Sequence, residues 1–307
     1  MGWQSLCCDL QVRHRNALLF SVMVLLWGLN WSIMKIGLRI SPPFAFTSHR
    51  LLLSSMFLLA LGIVFKPRIQ IDSKTVSRLF VYSLVSIPSF ASTIPGLHLQ
   101  SSGIGAVLTY TQPIMVSIMA VTFLNESFSV LRFVGTLLGF SGVADLFLED
   151  TGSILSWASL LLLIGAFLWG VGTIYYKVNL QSMGASFVNL FQASIACLTM
   201  YALSLLTEPA FRAWDWGYLA ILVYSGIGAS GIGMTIWLFL LKDEEATSLS
   251  SSSLIVPVIA LFFGWLVLGE GLSPKSLAGS TLVLTGIYLV SRYKPRQNLE
   301  RNVNHQR

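Results

Sequence analysis

The chain of 307 residues contains few charged residues and few cysteines. Charged residues account for 10% of the sequence, whereas a soluble domain carries about 25%. The three cysteines offer no disulfide framework. The nucleotide-binding string G-x-x-x-x-G-K-[ST] does not occur, and neither does H-E-x-x-H or a Cys/His cluster. The sequence therefore excludes a P-loop ATPase, argues against a metal site and predicts no cofactor.

Apolar residues dominate instead, with 54% hydrophobic residues and a mean hydropathy of +0.74. A membrane-spanning helix needs about 20 such residues in succession. Backbone polar groups that face lipid must be paired within their own segment, so each spanning run is predicted to be helical. The predicted fold class is an all-α polytopic membrane protein with ten transmembrane helices, at 17–36, 44–65, 79–98, 104–124, 130–148, 154–176, 186–206, 217–241, 248–268 and 275–291.

The second half of the chain repeats the first. An offset of 144 residues pairs Pro113 with Pro257 and Glu126 with Glu270, and an offset of 142 pairs Trp27 with Trp169. Each half holds five predicted helices, and because five is odd the two halves should be inverted, as in many secondary transporters. The predicted organisation is a cytoplasmic segment 1–16, a first repeat 17–148, an external link 149–153, a second repeat 154–291 and a basic cytoplasmic tail 292–307.

Basic residues predict the orientation in the membrane. With the N-terminus inside, three lie in external segments, Arg39, Arg212 and Lys275. Such a bias places both termini in the cytoplasm. The net charge of +6 is then explained by the orientation in the membrane, and no nucleic-acid partner is expected. Fourteen basic residues lie in cytoplasmic segments: Arg13, Arg15, Lys66, Arg68, Lys74, Arg78, Arg132, Lys177, Lys242, Arg292, Lys294, Arg296, Arg301 and Arg307.

The few polar residues within the predicted spans are the candidate binding residues. Arg50 lies about two turns into the second helix, and an intramembrane arginine is by default a functional candidate. The alternative is a structural role, in which Arg50 pairs with Asp145 or with helix-end carbonyls. Pro113 and Pro257 each remove a backbone hydrogen bond inside a span, which frees the carbonyls of Thr109 and Ser253. The predicted substrate-binding residues are Trp27, Asn30, Arg50, Tyr110, Gln112, Trp169, Gln192 and Ser253.

These strings resemble the drug/metabolite transporter superfamily, and specifically its EamA family of ten-helix carriers. The resemblance rests on L-L-W-G-L-N-W at 25–31, on Q-P-I followed by L-N-E at 124–126, and on L-G-E at 268–270, and it covers about 17–292. It departs from the family pattern at Asn125, where glycine is usual, and at Gln192, the repeat partner of Arg50. Glu126 and Glu270 are expected to serve helix ends.

The resemblance implies inverted five-helix repeats around a central cavity, with alternating access to the two sides. The predicted function is a secondary transporter in the cell membrane that moves an amino acid or related metabolite outward. A monomer is expected, and no enzymatic activity. One alternative is an intramembrane serine hydrolase that uses Ser230 in G-A-S-G with His49 or His98. Another is a receptor or scaffold without transport.

Two observations would separate these possibilities. A closed cavity lined by Arg50, Tyr110, Gln112 and Trp27 would favour the carrier. A hydrogen bond between Ser230 and a histidine would favour the enzyme. The string G-I-G-A-S-G-I-G around Ser230 also predicts close helix packing, since its four glycines form small helix faces.

Overall fold

A computed structural model describes residues 3–66, 72–126, 129–149, 156–211 and 213–292. Within these ranges the chain is helical and contains no strand, which confirms the predicted all-α class. The ten helical spans, named helix 1 to helix 10 in chain order, are Trp3–Ile40, Pro43–Phe65, Ser73–Leu99, Ser102–Phe123, Val130–Glu149, Trp157–Asn179, Ala185–Thr207, Trp216–Asp243, Ala246–Leu268 and Pro274–Arg292.

Eight of these helices are long and apolar enough to cross a membrane when the described residues alone are considered. The other two are helix 5 and helix 10. Each contains residues whose side chains are not among those that the structure describes. Helix 1 is longer than the sequence predicts, because it begins at Trp3 and continues through the segment 3–16. Its 38 residues measure about 57 Å at a rise of about 1.5 Å each, so the helix extends beyond a hydrocarbon core of about 30 Å.

Several helices begin where a side chain accepts a hydrogen bond from the backbone three residues further on. Asp72 accepts from the backbone nitrogen of Thr75 at 2.8 Å, and Asp215 accepts from that of Tyr218 at 2.7 Å. Such caps satisfy N–H groups that the first helical turn cannot pair. The hydrogen bonds from Thr75 also lower the pKa of the Asp72 carboxyl.

Helices 4 and 9 are each broken near their proline. Helix 4 stops at Thr109 and resumes at Gln112, and helix 9 stops at Ser252 and resumes at Ile255. Pro113 and Pro257 therefore lie in the first turn of the second piece, where a missing backbone N–H costs little. The carbonyl of Ser253 is not left free as expected, because it accepts a hydrogen bond from the backbone nitrogen of Val256 at 2.9 Å.

Helix 8 contains an unusual stretch. Its segment Val223–Gly233 is a π-helix of 11 residues, which we call the π segment. Most π-helical structure in proteins is a single turn inside an α-helix, and it occurs often at functional sites. The π segment packs on helices 1 and 2, where Gly226 faces backbone, since a Cβ added there would lie 2.5 Å from the carbonyl oxygen of Arg50.

The two repeats meet at contacts that the pseudo-twofold axis relates to one another. Helix 5 packs along helix 10, and a Cβ added at Gly142 would lie 2.5 Å from the carbonyl oxygen of Gly279. The equivalent crossing brings Gly286 against the carbonyl of Gly135. In the centre, Trp27 and its repeat partner Trp169 contact each other edge to face, with ring centroids 5.6 Å apart. Repeat partners can touch only close to the pseudo-twofold axis, so the axis passes near this pair.

Each repeat also uses one lysine to close a helix end. Lys35 Nζ donates to the carbonyls of Leu97 and His98, both at 2.9 Å, at the end of helix 3. Its repeat partner Lys177 donates to the carbonyls of Leu241 at 2.7 Å and Lys242 at 2.8 Å, at the end of helix 8. A cation at a helix C-terminus pairs with carbonyls that have no partner within the helix. Because the repeats are inverted, the two lysines lie at opposite ends of the molecule.

Candidate functional site

A cavity of about 150 Å³ lies between the two repeats. Helices 1, 2, 3 and 4 of the first repeat line it together with helices 6, 7 and 8 of the second. At about 30 Å³ per water molecule in the liquid, its volume corresponds to about five waters. The cavity is thus large enough for a small organic solute.

Helix 1 contributes one face to the cavity. Trp27, Asn30, Trp31 and Met34 all line it, at the spacing that places residues on the same side of an α-helix. The repeat partner of Asn30 is Gly172 on helix 6, which lines the cavity as well. The wall therefore carries a polar amide on one side of the pseudo-twofold axis and a bare backbone on the other.

Arg50 is the charged residue of the cavity wall. Its side chain is 6% exposed, and Nη1 donates a hydrogen bond to Sδ of Met34 at 2.9 Å. The guanidinium carbon also lies 5.9 Å from the ring centre of Phe90. Both neighbours are uncharged, and a thioether sulfur is only a weak acceptor. Arg50 thus presents a buried positive charge to the cavity.

The predicted alternative partner of Arg50, Asp145, has its side chain outside the described residues. The backbone of helix 5, which carries Asp145, packs mainly on helix 10. Helix 2, which carries Arg50, packs mainly on helices 7 and 8, with smaller contacts to helices 1 and 3. This arrangement favours the binding role of Arg50 over the structural pairing.

Four polar atoms of the cavity wall are buried without a hydrogen-bond partner. They are Asn30 Oδ1, Arg50 Nε, Thr109 Oγ1 and Gln192 Oε1. Buried polar atoms are usually paired, because an unpaired one loses its hydration without compensation. Other buried polar atoms without a partner lie away from the cavity, such as Gln112 Oε1 and Ser225 Oγ, but these four are the ones that an occupant of the cavity could reach. They come from helices 1, 2, 4 and 7, so an occupant would bridge both repeats.

Aromatic rings form one side of the cavity. Trp169 lies 5.5 Å from Tyr110 and 5.9 Å from the buried Trp237, measured between ring centroids. Trp27 completes the group at 5.7 Å from Trp237. Such edge-to-face and tilted contacts make a rigid apolar surface. The cavity therefore combines one charged, hydrogen-bonding region with one apolar wall.

The π segment supplies the remaining wall and is held in place by two side chains. Trp27 Nε1 donates to the carbonyl of Ala229 at 3.1 Å. Asn189 Nδ2, on helix 7, donates to the carbonyls of Ser230 at 2.9 Å and Gly231 at 3.1 Å. Ala229, Ser230 and Asn189 all line the cavity. The irregular backbone of helix 8 is thus satisfied by polar groups of the site itself.

The sequence-based site list matches this wall in part. Trp27, Asn30, Arg50, Tyr110, Trp169 and Gln192 line the cavity. Gln112 and Ser253 lie outside it, contrary to expectation. The second piece of helix 4 begins at Gln112, which is turned toward helix 6, where Nε2 donates to Thr173 Oγ1 at 3.3 Å. Ser253 is fully buried, and its hydroxyl donates to the carbonyl of Ser250 at 2.7 Å.

Sequence reasoning missed Met34 and Tyr82 as lining residues. Met34 could have been found from its spacing, since it lies seven residues after Trp27 on the same helical face. Tyr82 has no comparable signal, because an aromatic residue within a span is also typical of ordinary packing.

Glu126 and Glu270 cap helices of the opposite repeat. Glu270 follows helix 9 and accepts hydrogen bonds from the backbone nitrogen of Ser102 at 2.8 Å and from its hydroxyl at 2.6 Å, at the start of helix 4. Glu126 follows helix 4 and accepts from the hydroxyl of Thr247, at the start of helix 9. A carboxylate at a helix N-terminus interacts favourably with the helix dipole.

The departure at Asn125 has a conformational reason. Asn125 has a φ of 54° and its repeat partner Gly269 a φ of 65°, so both adopt the left-handed conformation. Asparagine tolerates this conformation better than other residues with a side chain. The first repeat therefore keeps the same turn before its glutamate without glycine.

The hydroxyl of Ser230 donates to the carbonyl of Ser225 at 2.8 Å. His49 Nδ1 pairs with the hydroxyl of Tyr218 at 2.9 Å, and His98 is exposed. Among the described residues no Ser230–histidine hydrogen bond is found, so the arrangement does not favour the hydrolase alternative. Within the same residues no group of His, Cys, Asp or Glu could hold a metal ion.

The fold and the cavity together define a polytopic membrane protein with a solute-sized site between two inverted repeats. The sequence pattern of the EamA-like transporter family matches residues 15–148 and again residues 156–292. The chain belongs to the EamA-like transporter family, as its resemblance to that family predicted.

Curated relatives cover nearly the whole chain. "Uncharacterized transporter YvbV" of Bacillus subtilis is 29% identical over 286 residues, which cover 91% of this chain and 92% of the relative. "Probable amino-acid metabolite efflux pump" of Salmonella typhimurium is 26% identical over 289 residues, covering 90% and 94%. A solved crystal structure, described only as a protein, aligns with a TM-score of 0.73 at 16% identity over 91% of this chain and 98% of its own. It supports the fold alone.

Proposed function

We propose that this protein is a secondary transporter that exports a small organic solute, an amino acid or a related metabolite, by alternating access. The observation that carries the proposal is the cavity between the repeats, with buried Arg50 and three further unpartnered polar atoms in its wall. A solute that carries a carboxylate can pair with a guanidinium through two parallel hydrogen bonds. The aromatic wall would then contact its apolar part.

The direction and the substrate class rest on the relatives. Two of them, from Salmonella typhimurium and from Escherichia coli, are named probable amino-acid metabolite efflux pumps. At 26% and 24% identity these names support export of an amino-acid-related solute. In transporters with inverted repeats, one half rocks against the other around a fixed central site. The contact of Trp27 with Trp169 beside the cavity fits such a pivot.

The orientation follows from the distribution of basic residues. Both termini would lie in the cytoplasm, and the link 149–153, most of which is outside the described residues, would be external. The protein would act as a monomer in the cell membrane, and its partners would be lipid and solute.

The test is an untargeted comparison of metabolites released by cells that express the protein and by cells that express its Arg50→Ala variant at equal membrane level. Accumulation of a carboxylate-bearing metabolite outside the first cells alone supports the proposal. Identical external metabolites, with both proteins present in the membrane, would contradict export by this site.

A further inference from the structure

The cavity wall contains a single formal charge among the described residues that line it. Asn30, Ser86, Ser89, Thr93, Asn189 and Gln192 are polar but neutral, and no Asp, Glu, Lys or His takes part. The guanidinium of Arg50 therefore sets the net charge of the site at +1. Since a buried charge without a counter-charge is strongly unfavourable, the wall favours an occupant that supplies the missing negative charge.

The charge balance differs between two kinds of carboxylate. An occupant with one carboxylate and no ammonium makes the loaded site neutral, whereas an amino-acid zwitterion leaves it at +1. The α-ammonium of an amino acid is two bonds from its carboxylate carbon, so it cannot move far from a guanidinium that holds the carboxylate. In a buried cavity of about 150 Å³ the effective dielectric constant is lower than in bulk water, so this repulsion is poorly screened.

We propose that the occupant is a carboxylate of net charge −1, such as an amino-acid derivative whose amino group is acylated or replaced by a carbonyl. This inference rests on the proposed transport function and selects one charge class within it. A phosphate ester fits less well, because a dianion would call for more cations than Arg50 alone.

The amide side chains in the wall are compatible with this occupant. Asn30 and Gln192 each carry an oxygen that accepts and an NH₂ group that donates, and rotation of the amide exchanges the two. In the described orientation the unpartnered atoms are the two amide oxygens, which accept; rotation of each amide would turn its NH₂ group toward a carbonyl oxygen of the occupant. The aromatic surface of Trp27, Trp169 and Tyr110 suits an uncharged body.

The experiment uses two solutes with the same carbon skeleton, leucine and 4-methyl-2-oxopentanoate. The full-length protein is purified and reconstituted in liposomes, and counterflow of each labelled solute is measured. We expect the oxo acid to move about tenfold faster, or more, than leucine at equal low concentration, which corresponds to about 1.4 kcal/mol. Movement of leucine at an equal or higher rate overturns the inference and leaves the transport function intact. Movement of neither solute overturns both.

A charge variant tests the cause. Gln192→Glu places a carboxylate in the same wall, so the site becomes neutral and the preference should shift toward leucine by about tenfold or more. Gln192→Met, which changes the shape little and adds no charge, should keep the preference for the oxo acid. Asn30→Asp also adds a carboxylate to the cavity wall, from helix 1, and replaces Gln192→Glu in the test if that variant does not fold. An unchanged preference in a folded acidic variant overturns the inference.

Discussion

Arg50 Nη1 and Met34 Sδ lie 2.9 Å apart in the cavity wall, so the positive charge is held by a neutral and weak acceptor. The contact fixes the guanidinium between helices 1 and 2 without neutralising it. Because the charge stays available, the guanidinium can still hold an incoming carboxylate.

Arg50→Lys should impair transport while the protein still inserts and folds. Lysine keeps the charge but has no planar fork, so it loses the second hydrogen bond to a carboxylate. We expect the KM to rise about tenfold, equivalent to about 1.4 kcal/mol. Uptake kinetics in liposomes measure this, with size-exclusion chromatography as the test of folding. Wild-type kinetics in the variant would show that Arg50 is not a ligand.

Met34→Leu is the matched variant for the same contact. It keeps the apolar volume and removes the sulfur, so the guanidinium loses its acceptor but not its space. We expect the KM to change by less than that of Arg50→Lys, about threefold or less, in the same assay. A larger rise in KM than that caused by Arg50→Lys would mean that positioning of the guanidinium by Met34 matters more than its paired hydrogen bonds to the carboxylate.

Asn189→Leu should loosen the π segment of helix 8. The carbonyls of Ser230 and Gly231 would lose the amide that holds them, and each unpaired buried group costs about 1–3 kcal/mol. Hydrogen exchange across 223–233 should become faster. Ser194→Ala on the same helix is the control, since its hydroxyl bonds only to the carbonyl of Leu190. Equal protection in the two variants would assign the π segment's stability to other contacts.

Glu270→Gln should lower thermal stability, because the start of helix 4 loses a charged cap. Charge-assisted hydrogen bonds are worth about 1.5–3 kcal/mol, so a loss of that order is expected. Thermal melting of the purified protein measures it, and Glu244→Gln, at an exposed side chain, is the control. Equal melting temperatures would show that the carboxylate contributes little beyond its shape.

A cysteine at Thr151, in a background without Cys7, Cys8 and Cys197, should react with an impermeant thiol reagent on intact cells. The expectation follows from the basic residues, which place this link outside. A cysteine at Ser73 should react only after the cells are opened. The reverse labelling pattern would invert the proposed topology.

Much of the fold could be predicted because membranes leave few choices to the backbone. Runs of apolar residues indicated the helices, and the prolines at 113 and 257 indicated where two of them break. The π segment could not be predicted, because its glycines fit close α-helical packing equally well. Two side chains that hydrogen-bond to its carbonyls, those of Trp27 and Asn189, are distant in sequence.

Site residues could be predicted where a polar or aromatic residue lies inside a predicted span, as Arg50 and Trp169 do. The site was not predictable at Gln112, because the direction of a side chain beside a helix break depends on how the second piece restarts. The partners of Glu126 and Glu270 were also hidden, since the two glutamates occupy equivalent positions but each binds the other repeat.

That exchange of caps has a consequence for the chain as a whole. Each half contains a helix start whose anionic partner lies on the other half, Ser102 for Glu270 and Thr247 for Glu126. A half separated from its counterpart would therefore lose one charged hydrogen-bond partner at a helix start. Each half thus depends on the other for part of a helix cap, so loosening one half should weaken a helix start in the other.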